Sequence, residues 1–80
     1  MLDLADSTQL LRLLAEPTRL RLLLLLIDQP MTVAELTTVT QLTQSRVSSH
    51  LGRLREAELV QDRAVANARF YSVDVKRWHH

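Results

Sequence analysis

Gln44, Ser45, Arg46, Ser48, Ser49, His50 and Arg53 lie within ten consecutive positions. Three hydroxyls, an imidazole, an amide and two guanidinium groups could serve two kinds of chemistry. The first is nucleophilic. It fails on its partners: no carboxylate in this stretch orients the histidine, and no oxyanion or glycine-rich phosphate loop accompanies it. The second is the reading of a nucleic acid. Arg and Gln make two-pronged hydrogen bonds to base edges, and short serine hydroxyls reach bases or phosphates. The residues thus argue against an enzyme and for a DNA-binding surface.

These side chains need a helix to present them. Val47, Leu51 and Leu54 recur at i, i+4 and i+7, which is one narrow apolar stripe. Thr43 is a suitable N-cap, so the helix is read over Thr43–Ala57. At about 100° per residue, Ser45, Ser49, Gly52 and Glu56 lie opposite the stripe. Arg46, His50 and Arg53 fall on one flank, and Gln44, Ser48 and Arg55 on the other. The plain alternative is a solvated polar face with no partner. His50, at the edge of the stripe, either touches DNA or bonds within the domain.

The rest of the chain supplies a frame. Ser7 can cap a first helix, Thr8 to about Ala15, whose Leu10, Leu11, Leu13 and Leu14 cover more than one face and call for a second partner surface. Pro17 opens a second helix to about Ile27, nearly all apolar; leucine rather than β-branched residues favours helix over a buried strand. Asp28-Gln29-Pro30 stops it. Thr32 and Glu35 have capping-box spacing, which starts a third helix at Val33. It should end near Thr38, because Thr37, Thr38 and Thr40 are poor helix formers. Leu42 pins the turn before Thr43. Short helix, turn and amphipathic helix is the helix-turn-helix order. Leu59–Arg63 and Arg69–Val73 then read as two strands joined at 64–68. Asn67 is the residue there best suited to a left-handed turn. This hairpin is a wing over about 59–73, with Arg63 and Arg69 beside its tip, in reach of phosphate or the minor groove. Trp78 is placed to dock on the core or on a second subunit.

Composition sets the bounds. Eighty residues make one domain, 1–80, and so small a core is marginal without oligomerisation. Cysteine is absent, so neither a disulfide nor a thiolate metal site is available. The start is acidic and the longest apolar run, Leu22–Ile27, is far short of the ~20 residues that span a bilayer. A cytoplasmic protein with no membrane partner is expected. Net charge is only +1, but the acids cluster early and Arg46–Arg55 holds three Arg and no acid. That balance implies modest non-specific affinity for a polyanion.

Three stretches, in order and correctly spaced, resemble the ArsR/SmtB family of winged-helix repressors. They are Leu14-Ala15-Glu16-Pro17-Thr18-Arg19-Leu20-Arg21, Leu42–Leu51 with its Gln-Ser-x-Val-Ser-x-His-Leu pattern, and Leu54–Val60. The resemblance runs over about Gln9–Val73. It implies a mainly α winged helix-turn-helix with a small β-hairpin (α-α-α-α-β-β), a homodimer, and a double-stranded DNA operator with two half-sites. Gln44, Ser45, Ser48, Ser49 and His50 match the family's DNA-reading helix; Arg46, Arg53, Arg63 and Arg69 come from the residues themselves. Several departures stand out. Metal-sensing relatives carry Cys in the third helix, and the equivalent stretch here, Met31–Thr37, has no soft ligand. The chain ends near where their final helix begins, and His79-His80 without fixed partners is not a site. Neither metal nor cofactor is therefore expected. The final dimerisation helix is short or absent, which leaves pairing to the Leu-rich first helix and the tail. Glu58 stands where the family usually has Gly, so the helix either ends differently or accepts strain. The competing function is a winged-helix interaction module of a larger protein, such as a methyltransferase, that binds no DNA.

Overall fold

The computed structural model describes residues 4–73, with side chains described from Ser7 on. Trp78 and His79-His80 lie outside the described residues.

Helix α1, Leu4–Leu14, starts earlier than its sequence implied. Ser7 sits one turn inside it and is not its cap, because Leu4 and Ala5 are strong helix formers that carry the helix toward the N-terminus. Helix α2, Pro17–Asp28, begins at its proline, and Glu16 caps it by accepting the Arg19 N–H at 3.1 Å. The Arg19 Nε–H turns back to the Leu13 carbonyl at 2.7 Å, satisfying an acceptor in the last turn of α1. Strand β1, Met31–Thr32, follows; two residues are too few to show a period in sequence. Helix α3, Val33–Thr40, carries the expected capping box, Thr32 Oγ1 to Glu35 N–H and Glu35 Oε1 to Thr32 N–H. It outlasts the expected stop at Thr38. The hydroxyls of Thr37 and Thr38 donate to the Ala34 carbonyl and that of Thr40 to Leu36, so each threonine is satisfied in helical backbone.

Helix α4, Gln44–Glu56, has Thr43 as N-cap and Ala57 as C-cap. Strands β2, Gln61–Val65, and β3, Ala68–Ser72, form the hairpin. They lie two residues beyond the expected first strand and one before the expected second, and only Ala66-Asn67 connects them. The left-handed residue is Ala66 (φ 55°), not Asn67. With pairing continued to Val65 and Ala68, the positive φ falls on the first loop residue, as in a II′ turn. Strand β3 is central in an antiparallel sheet of order β1-β3-β2, so the wing is anchored at its base to Met31 and Thr32.

The helices meet on one core. Leu22, Leu23 and Leu26 of α2 pack with Met31, with Leu36 of α3, with Val47, Leu51 and Leu54 of α4, and with Val60. Leu42 packs against this cluster, as the turn requires. The other side of the first two helices stays uncovered: Leu11 is 69% exposed and Leu24 58%, with Leu20 and Ile27 beside them.

Candidate nucleic-acid interface

Helix α4 is seated by its stripe. Val47, Leu51 and Leu54 are fully buried, and the Thr43 hydroxyl accepts the Arg46 N–H at 3.2 Å. The remaining positions sort by what lies beside them. Gln44, Ser45, Arg46, Ser48 and Ser49 are all exposed. So is Gly52, and a Cβ built there would meet nothing within 4 Å. The N-terminal two turns of the helix therefore offer a low polar surface with one guanidinium at its edge.

The opposite flank turns toward α1 and α2, with Arg53 still exposed. His50 is half-buried, with Nδ1 at 3.7 Å from Glu16 Oε2. That nitrogen is buried without a hydrogen bond. Glu16 thus serves two helices: it caps α2 and stands opposite the imidazole of α4. Partial desolvation pushes the Glu16 carboxyl up, but the N–H groups of Arg19 and Thr18, with His50 and the Arg19 charge, bring it below its ordinary value. Arg53 lines a groove in which Gln9, Leu10 and Leu13 of α1 face Glu56 and Ala57. Of the nine residues singled out in the sequence, His50 and Arg53 therefore stand on the side of the first two helices.

The wing splits its two arginines. Arg63 pairs with Phe70 in the ladder and Arg69 with Ala64, which places them on opposite faces of the hairpin. Arg63 is exposed and has no acidic partner among the described residues. Arg69 donates from Nη1 to Asp62 Oδ2, and Arg55 of α4 donates from Nε to Asp62 Oδ1. The Asp62 side chain is 8% exposed between arginines that are 57–61% exposed. Hydrogen bonds from Arg55 and then Arg69 hold its carboxyl below the usual range, against the pull of burial, and Asp62 in turn raises Arg55. Neither Asp62 nor Glu16 stood out by spacing. The available signal was that Asp62 is the sole acid from Leu59 to Val73, in a hairpin otherwise basic.

The end of α4 forms a Schellman motif. The Glu58 N–H bonds the Arg55 carbonyl at 2.9 Å and the Leu59 N–H bonds Leu54 at 3.0 Å, with Glu58 at φ 62°. Strain is accepted here, and the helix ends as a glycine would end it. Among the described residues no three of His, Asp or Glu gather as metal ligands, and no helix is long and apolar enough to cross a membrane.

Comparison with known proteins agrees with this arrangement. Residues 16–62 match the family described as bacterial regulatory protein, arsR family. The chain is 38% identical over 69 residues to the transcriptional activator HlyU of Vibrio cholerae, covering 86% of this chain and 64% of HlyU. It is 38% identical over 69 residues to the HTH-type transcriptional regulator YgaV of Escherichia coli K12, covering 85% of this chain and 70% of YgaV. The structure of the transcriptional repressor BigR of Xylella fastidiosa superposes with a TM-score of 0.81 at 32% identity, over 90% of this chain and 74% of that one. All three relatives are transcriptional regulators. The four helices, the turn between α3 and α4 and the three-stranded sheet are a winged helix-turn-helix, and the chain belongs to the arsR family of bacterial regulatory proteins.

Proposed function

We propose that this chain is a sequence-specific DNA-binding transcriptional regulator, a cytoplasmic repressor that acts as a homodimer. The observation that carries the reading is the exposed, short-side-chain surface of α4 beside a wing whose Arg63 has no acidic partner among the described residues. In this reading the first turns of α4 enter the major groove. Gln44, Ser45, Ser48 and Ser49 meet base edges and Arg46 the flanking phosphate. Arg63 reaches the backbone or minor groove from the wing. His50 and Arg53 support α4 from the side of α1 and α2, and Arg69 acts through Asp62. Exposed Leu11 on α1 supports pairing through the first helix, joined by the tail. Two copies then read half-sites about one helical turn apart, roughly 34–36 Å.

The test begins with duplexes selected by the protein from a random library. Ser45→Ala with Ser49→Ala should weaken the selected duplex by roughly 10–100-fold while a scrambled duplex changes little. Equal weakening of both overturns the readout. Sedimentation of the free protein should give twice the chain mass; a monomer at DNA-saturating concentrations overturns the dimer. A promoter carrying the selected site should fall silent when the protein is expressed.

A further inference from the structure

The charges on the wing side of α4 are not all available to DNA. Arg55 leaves the last turn of the recognition helix and Arg69 leaves the central strand of the sheet, yet both end on one carboxylate, Asp62. The two arginine side chains keep more than half of their surface in water while that of Asp62 keeps 8%. Two positive charges are thus offset by one negative charge at the junction between the two elements expected to grip DNA. Among the described residues, these three span the only ion-pair link from α4 to the hairpin. Arg46, Arg53 and Arg63 have no acidic partner among the described residues.

We propose that Asp62 is a specificity-determining residue of the DNA complex. This rests on the DNA-binding reading above. Asp62 acts in two ways. It fixes the angle between α4 and the wing by bonding an arginine of each. It also withholds Arg55 and Arg69 from phosphates, so that attraction to any duplex stays low and base contacts decide where the protein rests. Each phosphate contact steepens the dependence of log K on log salt by about 0.9, and such contacts carry no sequence information. Releasing both arginines would add up to two such contacts.

The experiment compares Asp62→Asn with the unchanged chain on the selected duplex and on a scrambled duplex, by fluorescence anisotropy from 50 to 200 mM salt. Asn keeps the side-chain shape and loses the charge. The expected result on the scrambled duplex is tighter binding at 50 mM and a slope steeper by up to ~1.8. Over that fourfold salt range the extra loss of affinity is about tenfold. The preference for the selected duplex should fall. Adding Arg55→Gln and Arg69→Gln to Asp62→Asn should return the slope to that of the unchanged chain, which a general loss of folding would not do. Asp62→Ser, checked by circular dichroism, serves as the second variant should the amide not fold. A slope that stays the same in a folded Asp62 variant overturns the proposal, whatever happens to affinity. An unchanged chain that binds neither duplex removes the DNA reading and this inference with it.

Discussion

Glu58→Gly should make this protein more stable. Glu58 occupies the C′ position of α4 at φ 62°, where its N–H and that of Leu59 close the helix onto Arg55 and Leu54. The left-handed conformation costs a residue with a Cβ about 1–2 kcal/mol, and glycine almost nothing. Glycine also gains freedom in the unfolded chain, which returns roughly 0.4–1 kcal/mol. The backbone part of the expectation is about 0.5–1 kcal/mol of stabilisation, to which loss of the Glu58 charge adds. In a domain of 60–100 residues a change of 1 kcal/mol moves Tm by roughly 4–8 °C, so a rise of about 2–8 °C is expected. Thermal unfolding followed at 222 nm, with urea titration alongside, measures it. Glu58→Ala is the necessary companion. It removes a negative charge near a helix C-terminus, itself worth about 0.3–1 kcal/mol, but keeps the Cβ. The gain of Gly over Ala is the backbone part. If Gly is no better than Ala, backbone strain at Glu58 is not the cause and the reasoning fails.

Gly52→Ala should raise Tm as well, because glycine in a helix interior costs about 0.5–1 kcal/mol relative to alanine and the added Cβ meets nothing. On the reading face the same methyl should lower affinity for the selected duplex; stability and binding that rise together would place Gly52 away from DNA. Thr32→Ala removes the cap of α3 at a cost of about 1 kcal/mol, seen as a Tm lower by roughly 4–8 °C. Asp62 has a depressed carboxyl, so its contribution to stability is complete above the ordinary carboxylate value and is lost as pH falls through its lowered one. Asp62→Asn should therefore lower Tm by a few degrees at pH 7 and lessen the fall between pH 4 and pH 2; a parallel pH curve would contradict that sign.

Much of this fold is written in local pattern. The Val47-Leu51-Leu54 stripe, the Thr43 cap, the Thr32–Glu35 box and Pro17 each act within a turn or two of chain, and the structure has all four. What sequence hid depends on distant partners. Strand β1 exists because Met31 and Thr32 find Tyr71 and Phe70. The tip turns at Ala66 because strand pairing, not the preference of Asn67, chooses the loop. The three threonines of α3 stay helical because their hydroxyls find carbonyls one turn back. The Asp62 cluster joins residues seven apart on both sides, across a helix end and a strand pair, where neither helical nor strand period applies. The sole glycine tells the same story from the other side. It sits in α4, while Gln41, Glu58 and Ala66 hold the left-handed positions. A reader who expects glycine to mark turns is misled at all four places.

Thr32 belongs to two structures at once: it pairs with Phe70 in the sheet, and its hydroxyl holds the first turn of α3. The wing consequently has no hinge of its own at its base. Peeling β3 from β1 also strips the start of the first helix of the helix-turn-helix, so the two should open as a single cooperative unit with matched amide-exchange rates. DNA that grips the hairpin should then slow exchange in Val33–Leu36, residues expected to make no contact with it.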